Sequence, residues 1–325
     1  MCRHLAWIGA ARTLAELTMA RPHGLLRQSW APRRMRHGTI NADGYGVGWY
    51  APRLRSGPAR YRRAVPMWTD ASYASMAGVI ASGCVLAAVR SASVGMPVEE
   101  SATAPFTDGT RLLSHNGRVD PAAVRALLAQ HPEAPAPDSA CDSALLAALV
   151  WEHAARQPLA DAVAQVVTAL GDAGLADSRP GALRPWAGDW TTPPPDPAPA
   201  PAPPAPPGPP AAPAASGSPR SDGADRPSAA RLNLVVTDGT QLVATAWGET
   251  LVYRIEEDGV LVASEPDDDG AGWIEVPDHY LLVADTRKVT LRSLTSGDGY
   301  CGLHTVDGGR HDDTEHSDDR PRRDG

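Results

Sequence analysis

Cys2 directly follows the initiator methionine, a position that lets one residue supply two reacting groups. Removal of Met1 leaves a thiol and a free α-amine on the same residue, the amine with an ordinary pKa of about 7.7. Such an amine can take the thiol proton through a water, so a nucleophile arises without any histidine as base. The alternative is that Cys2 merely begins the first strand, and position alone favours it. The case therefore rests on four further groups, which occur in this order: Asn41-Ala42-Asp43-Gly44-Tyr45-Gly46-Val47-Gly48-Trp49, the Arg90-Ser91-Ala92 stretch ending at Gly95, His115-Asn116-Gly117 and Cys141-Asp142-Ser143.

These residues need elements to hold them. The apolar runs at 84–89 and 111–113 read as buried strands. The glycine-dense run at 44–50 reads as a strand that other backbone approaches closely. Segments 121–130, 141–155 and 159–170 read as helices, the second with Leu145, Leu146, Leu149 and Val150 on its buried face. From residue 232 onward the pattern changes to short strands at 232–236, 241–246, 251–255, 260–263, 272–275, 280–284 and 289–291. Asp238-Gly239 and Asp258-Gly259 are hairpin signals between them. Seven short strands need cover, so they are expected to extend sheets begun in the first half.

Pro, Ala, Gly and Ser dominate residues 191–227. Such a stretch lacks the donors for helix or sheet and is expected to be an extended, disordered surface insertion rather than a ligand for a proline-binding partner. The charged stretch 297–325 is likewise expected to be disordered. The predicted organisation is one catalytic domain over 2–295, interrupted at 191–227 and followed by that tail.

Of the 325 residues, 42% are hydrophobic and 21% charged, which suits a globular protein with a sizeable core. The formal net charge of −8 argues against a nucleic-acid partner. No apolar run reaches membrane-spanning length, and the first residues lack the apolar core of a secretory signal. The four cysteines show no paired spacing, so reduced thiols and a cytoplasmic location are expected. Cys2 with His4 has no second pair to complete a metal site, so no metal is expected.

Taken together, the five motifs resemble the glutaminase domain of class II glutamine amidotransferases. Within that group the likeness is closest to the amidohydrolases of ergothioneine biosynthesis that act on γ-glutamyl-hercynylcysteine sulfoxide. Ser29-Trp30-Ala31-Pro32-Arg33-Arg34-Met35-Arg36-His37-Gly38 and Gly95-Met96-Pro97-Val98-Glu99-Glu100-Ser101 carry that closer match. The resemblance covers residues 2–190 well and 232–291 more loosely. It implies an α+β fold, the four-layer αββα N-terminal-nucleophile hydrolase arrangement, with two packed antiparallel sheets between helical layers. It also implies a small-molecule γ-glutamyl substrate and no cofactor. A glutaminase subunit passing ammonia to a separate synthetase is a second reading, and a non-catalytic scaffold using the proline-rich stretch a third.

The resemblance assigns the side-chain amide of Asn116 and the backbone N–H of Gly117 to an oxyanion hole, where fixed donors meet the charge developing on oxygen. Asn-Gly also reads as a hairpin turn. Arg90 is assigned to the substrate α-carboxylate, which its forked donors can grip twice, and Asp142 to the α-ammonium. The alternatives are a strand-end arginine and a helix-capping aspartate. Asp43, Gly44 and His115 join them as substrate-pocket candidates, with a purely structural turn equally open for Asp43 and Gly44. Ser93-Val94 stands where the family often has Thr-His. Arg33, Arg34 and Arg36 read first as a salt-bridged loop and second as a contact for a substrate carboxylate. Trp30, Tyr45 and Trp49 are aromatic candidates for a trimethylammonium group.

Overall fold

The first strand is apolar on both faces, so it must be covered twice. Leu5 and Trp7 point one way and Ala6 and Ile8 the other, and all four are buried. The protein, a computed structural model, describes residues 2–93, 95–176, 230–295 and 304–307. The 191–227 stretch and most of the tail lie outside the described residues.

The first half runs β1 (Arg3–Thr13), α1 (Leu14–Thr18), α2 (Leu25–Gln28), β2 (Tyr45–Trp49), β3 (Ala59–Arg63), α3 (Ala71–Ala77) and β4 (Ala81–Val89). It continues with β5 (Phe106–Thr107), β6 (Leu112–Arg118), α4 (Pro121–Leu128), α5 (Asp142–Ala154) and α6 (Leu159–Ala176). The second half is all strand: β7 (Arg231–Thr237), β8 (Leu242–Ala246), β9 (Val252–Glu256), β10 (Gly259–Ala263), β11 (Ile274–Glu275), β12 (Tyr280–Ala284), β13 (Lys288–Ser293) and β14 (His304–Asp307).

Two seven-stranded sheets result, in the orders β11-β9-β10-β1-β4-β2-β3 and β14-β13-β12-β8-β7-β6-β5. The late strands do extend both early sheets: β10 pairs with β1 and β7 with β6, each antiparallel. Ala6, Ile8 and Leu86 of the first sheet pack against Leu112, Val235, Ala244 and Leu282 of the second. The outer face of the first sheet buries Leu5, Trp7, Val85 and Val89 against Leu14, Leu17, Leu25 and Tyr73 of α1–α3. The outer face of the second buries Leu113, Leu234 and Val236 against Leu146, Val150, Val163 and Val167 of α5 and α6. This is the expected αββα sandwich. No helix among the described residues is long and apolar enough to cross a membrane.

α5 is buried nearly all round, from Ala144 to Trp151, because a sheet lies beneath it and α4 and α6 flank it. The glycine-dense strand behaves as its composition suggests. A Cβ on Gly46 would sit 2.2 Å from the Ala104 carbonyl oxygen, so only glycine lets that backbone pass. Gly259 departs from its turn reading. It already pairs with Glu256 inside the strand ladder, and the loop is Glu257-Asp258. Its missing side chain makes room for the Ile8 carbonyl, 2.4 Å from where a Cβ would stand. Within the tail, His304–Asp307 pair with β13, whose free edge offers backbone groups to a further strand.

Candidate active site

Cys2 sits where β1 begins, and the ladder puts Arg3 opposite Val89 at the end of β4. The next residue of each strand, Cys2 and Arg90, therefore emerges at the same end of the sheet. The Cys2 Sγ lies 3.9 Å from the Ser91 carbonyl oxygen, its one hydrogen-bond partner, which leaves the thiol free to react. Cys2 and Arg90 line a common cavity with Thr103, Ser114, His115 and Ser143. The enclosed space is about 20 Å³, room for about one water.

Two turns of backbone clamp Arg90. Its N–H donates to the Gly44 carbonyl at 2.8 Å and its carbonyl accepts from the Asp43 N–H at 3.0 Å. The Asp43 carboxylate accepts from the Ala92 N–H at 2.7 Å, which fixes the chain just after Arg90. Gly44 has φ +140°, a conformation other residues rarely adopt, and a Cβ there would stand 2.8 Å from the Thr103 hydroxyl. Both residues thus shape the chain around Arg90, Gly44 through its backbone and Asp43 through its N–H and its carboxylate. Arg90 itself is 8% exposed, its buried Nη1 has no hydrogen bond, and no carboxylate of the described residues pairs with it. A buried guanidinium without an acceptor costs free energy until an anion arrives.

His115, Asn116 and Gly117 lie inside β6, not in a turn, and Asn116 faces Asn233 of β7 in register. Strand alternation sends their side chains to opposite faces. His115 points to the helical side, where Nδ1 meets the Ser143 hydroxyl at 2.9 Å and Nε2 the Arg231 carbonyl at 2.9 Å. A carbonyl partner requires the proton on Nε2, so Nδ1 accepts from Ser143. Burial pulls the His115 pKa down, which keeps the ring neutral in that pairing. Both ring nitrogens are taken by protein, and the ring so held forms part of the wall of the Cys2 cavity. Asn116 points between the sheets, fully buried; its Nδ2 donates to the Ser264 hydroxyl at 3.4 Å and its Oδ1 has no hydrogen bond. At Gly117 a Cβ would lie 2.0 Å from the Arg231 carbonyl oxygen and 2.7 Å from His115 Nε2.

Asp142 is the first residue of α5, buried to 7% exposure. Its two oxygens accept from the Ser143 N–H at 2.8 Å and the Val119 N–H at 3.3 Å, which aims the carboxylate toward the end of β6. Each oxygen retains a lone pair for a further donor. His4 carries no acid–base role: burial pushes its pKa down to about 3, and its Nδ1 meets Ser114 at 3.3 Å.

Three further residues surround these, of which Ser264 and Glu265 stand outside the motif set and Arg3 belongs to it as part of Cys2-Arg3-His4-Leu5. Arg3 is wholly buried with no hydrogen bond on its guanidinium, and Glu265 lies 3.7 Å from its Nε. Burial pulls the Arg3 pKa down, while Glu265 and Glu249 pull it back up. Glu265 also accepts from the N–H groups of Arg33 and Arg34 at 2.8 and 2.7 Å, pinning that loop beside Cys2. Ser264 takes donations from both Asn116 and the His4 N–H. Its place next to Cys2 in the Cys2-Arg3-His4-Leu5 motif was the sequence signal for Arg3.

The chain is 40% identical over 299 residues to the γ-glutamyl-hercynylcysteine sulfoxide hydrolase of Mycobacterium tuberculosis, covering 92% of this chain and 99% of that protein. It is 40% identical over 283 residues to the hydrolase of the same name from Mycolicibacterium smegmatis, covering 87% and 95%. The chain belongs to the γ-glutamyl-hercynylcysteine sulfoxide hydrolase family. Solved structures similar to this hydrolase family member agree on the fold. A class-II glutamine aminotransferase domain protein from Silicibacter pomeroyi matches with TM-score 0.52 and 18% identity, over 91% of this chain and all of that one. The glutamine phosphoribosylpyrophosphate amidotransferase of B. subtilis matches with TM-score 0.56 and 11% identity, over 91% of this chain and 50% of that one. No family model matches the chain.

Proposed function

We propose that the chain hydrolyses the γ-glutamyl amide bond of γ-glutamyl-hercynylcysteine sulfoxide, a step of ergothioneine biosynthesis, with Cys2 as nucleophile. The observation that carries this reading is Arg90, a buried cation without an anion in the cavity that Cys2 lines. An α-carboxylate of a glutamyl group meets that need, and Asp142 offers an acceptor for the neighbouring α-ammonium.

The thiol gives its proton to the Cys2 α-amine through a water, and the sulfur adds to the γ-carbonyl carbon. The resulting oxyanion takes hydrogen bonds from the Asn116 amide and the Gly117 N–H. The protonated amine of Cys2 gives that proton to the departing nitrogen, the C–N bond breaks, and a glutamyl-thioester remains on Cys2. Water, deprotonated by the Cys2 amine, then attacks the thioester carbonyl, the C–S bond breaks, the amine returns the proton to the sulfur, and glutamate leaves. Protons move only among Cys2, water and substrate, so we assign no cofactor. Cys84 and Cys141 are buried free thiols, which suits the reducing cytoplasm where we place the enzyme.

The test is product analysis on purified protein. Hydrolysis of γ-glutamyl-hercynylcysteine sulfoxide to glutamate and hercynylcysteine sulfoxide, well ahead of glutamine, is the expected result. Equal or faster turnover of glutamine would instead mark an ammonia-supplying glutaminase subunit.

A further inference from the structure

Strand alternation makes one end of the apolar filling between the sheets polar. Ala6 and Ile8 of β1 lie in that filling, and His4 shares their face. On the second sheet Leu112 lies in the same filling, and Ser114 and Asn116 follow it on the same side. Val262 of β10 does likewise, with Ser264 two residues on. His4, Ser114, Asn116 and Ser264 are all fully buried, and Ser114 also lines the Cys2 cavity.

Their hydrogen bonds interlock and leave one atom over on each of two residues. His4 Nδ1 meets the Ser114 hydroxyl at 3.3 Å, and the His4 N–H donates to the Ser264 hydroxyl at 3.0 Å. The Ser264 N–H donates to the His4 carbonyl at 2.9 Å, and the Ser264 hydroxyl accepts from Asn116 Nδ2 at 3.4 Å. His4 Nε2 and Asn116 Oδ1 are the side-chain atoms of this set without a hydrogen bond.

The tautomer of His4 decides whether those atoms oppose or complement one another. Burial, with Arg3 and His115 adding to it, pushes the ring's pKa down to about 3, so the ring is neutral and carries one proton. A proton on Nδ1 would go to Ser114 and leave Nε2 and Asn116 Oδ1 as two buried acceptors. A proton on Nε2 lets Ser114 donate to Nδ1 and makes the same two atoms a donor and an acceptor. The second arrangement avoids leaving both unsatisfied. The orientation of the Asn116 amide turns on this too, because a flipped amide would set its oxygen against the charge developing on the substrate. A hydroxyl both donates and accepts, so Ser264 does not choose between the two orientations. An imidazole N–H only donates, so it does.

We propose that His4 is a positioning residue of the oxyanion hole. Its Nε2–H donates to Asn116 Oδ1, directly or across one water, and holds the amide with its N–H toward the γ-carbonyl. His4 acts through Asn116 and touches neither substrate nor transferred proton. The role rests on the part given to Asn116 in the reaction above.

Long-range proton–nitrogen NMR correlations of labelled histidine report the tautomer without reference to activity, and the signal lost in His4→Gln identifies the ring. The proton is expected on Nε2 near neutral pH; a proton on Nδ1 overturns the proposal, whether or not any variant folds. His4→Phe keeps the ring shape and removes both nitrogens. It is expected to lower kcat about tenfold, the scale of one hydrogen bond, with KM unchanged. His4→Gln, whose amide N–H stands in for Nε2–H, should recover most of that loss. In an Asn116→Ala background His4→Phe should cost nothing further, because no amide remains to be held. An equal loss in both backgrounds makes His4 a packing residue and overturns the role. A wild-type kcat for Asn116→Ala overturns the oxyanion reading and this role with it, whereas the wrong tautomer overturns this role alone.

Discussion

Asn116 and Ser264 meet between the two sheets, the amide of one donating to the hydroxyl of the other at 3.4 Å. The same hydroxyl accepts from the His4 N–H at 3.0 Å, so one side chain ties the oxyanion donor to the strand that carries the nucleophile. Asn116→Ala is expected to lower kcat by about 10²–10³, the usual loss for one oxyanion donor. Ser264→Ala should lower kcat less, because the donor stays but loses its anchor, and should reduce stability by about 1 kcal/mol. Steady-state kinetics alongside thermal unfolding separate the two. A kcat for Asn116→Ala near that of wild type removes it from the oxyanion hole.

The base assigned to the reaction exists only after Met1 is removed. Intact mass of active protein should therefore begin at Cys2. Cys2→Ala should abolish turnover without cost to the fold, since the thiol's one contact is 3.9 Å long. Cys2→Ser should be processed but slow, because an alcohol yields its proton far less readily than a thiol. Full activity with Met1 retained would falsify the α-amine mechanism.

Arg90→Lys keeps the charge and loses the fork, so it is not a conservative change at a carboxylate site. It is expected to lower kcat/KM by roughly 2–4 kcal/mol, as is Asp142→Asn. Among the described residues Arg90 has no side-chain ion pair, so its variant should unfold at close to the wild-type temperature. A substrate analogue lacking the α-amino group should be indifferent to Asp142→Asn. Equal damage on that analogue makes the carboxylate's bonds to Val119 and Ser143 its whole role.

The layers were legible because apolar periodicity reports which faces are covered. α5 and strands β7 to β13 lie within a few residues of where the pattern puts them, whereas β14 falls in the tail expected to be disordered. Gly259 was misplaced by local turn chemistry, since the demand on it comes from the Ile8 carbonyl, about 250 residues away. The same distance hid Ser264 and Glu265. Serine and glutamate after a strand look like ordinary solvated loop, and only the closing of β10 against β1 brings them to Asn116 and Arg3. Cys2 and Arg90 were visible only through the five motifs taken together, since a cysteine at position 2 and an arginine after an apolar strand are each ordinary alone. His115 was legible as a pocket candidate, but its partners Ser143 and Arg231 were not, because only the strand and helix packing brings them to its ring.

Asp267, buried beside Arg21 and Arg254, carries a charge whose cost depends on pH. Its side chain is 1% exposed and its Oδ1 has no hydrogen bond. Burial pushes its carboxyl up to about 6, with Asp268 and Glu256 adding to the rise and Arg21 and Arg254 opposing it. An unfolded aspartate titrates near 3.9, so between roughly pH 4 and 6 the folded state binds more protons than the unfolded one. Stability therefore falls as pH rises through that window and stays lower above it. Asp267→Asn removes the titration and leaves Arg21 and Arg254 their other partners, Asp268 and Glu256. The variant is expected to be more stable than wild type at pH 7.5, by roughly 1–3 kcal/mol, with the difference vanishing near pH 4. Denaturant unfolding at the two pH values checks this. A gain of the same size at both would assign the effect to packing rather than to the buried charge.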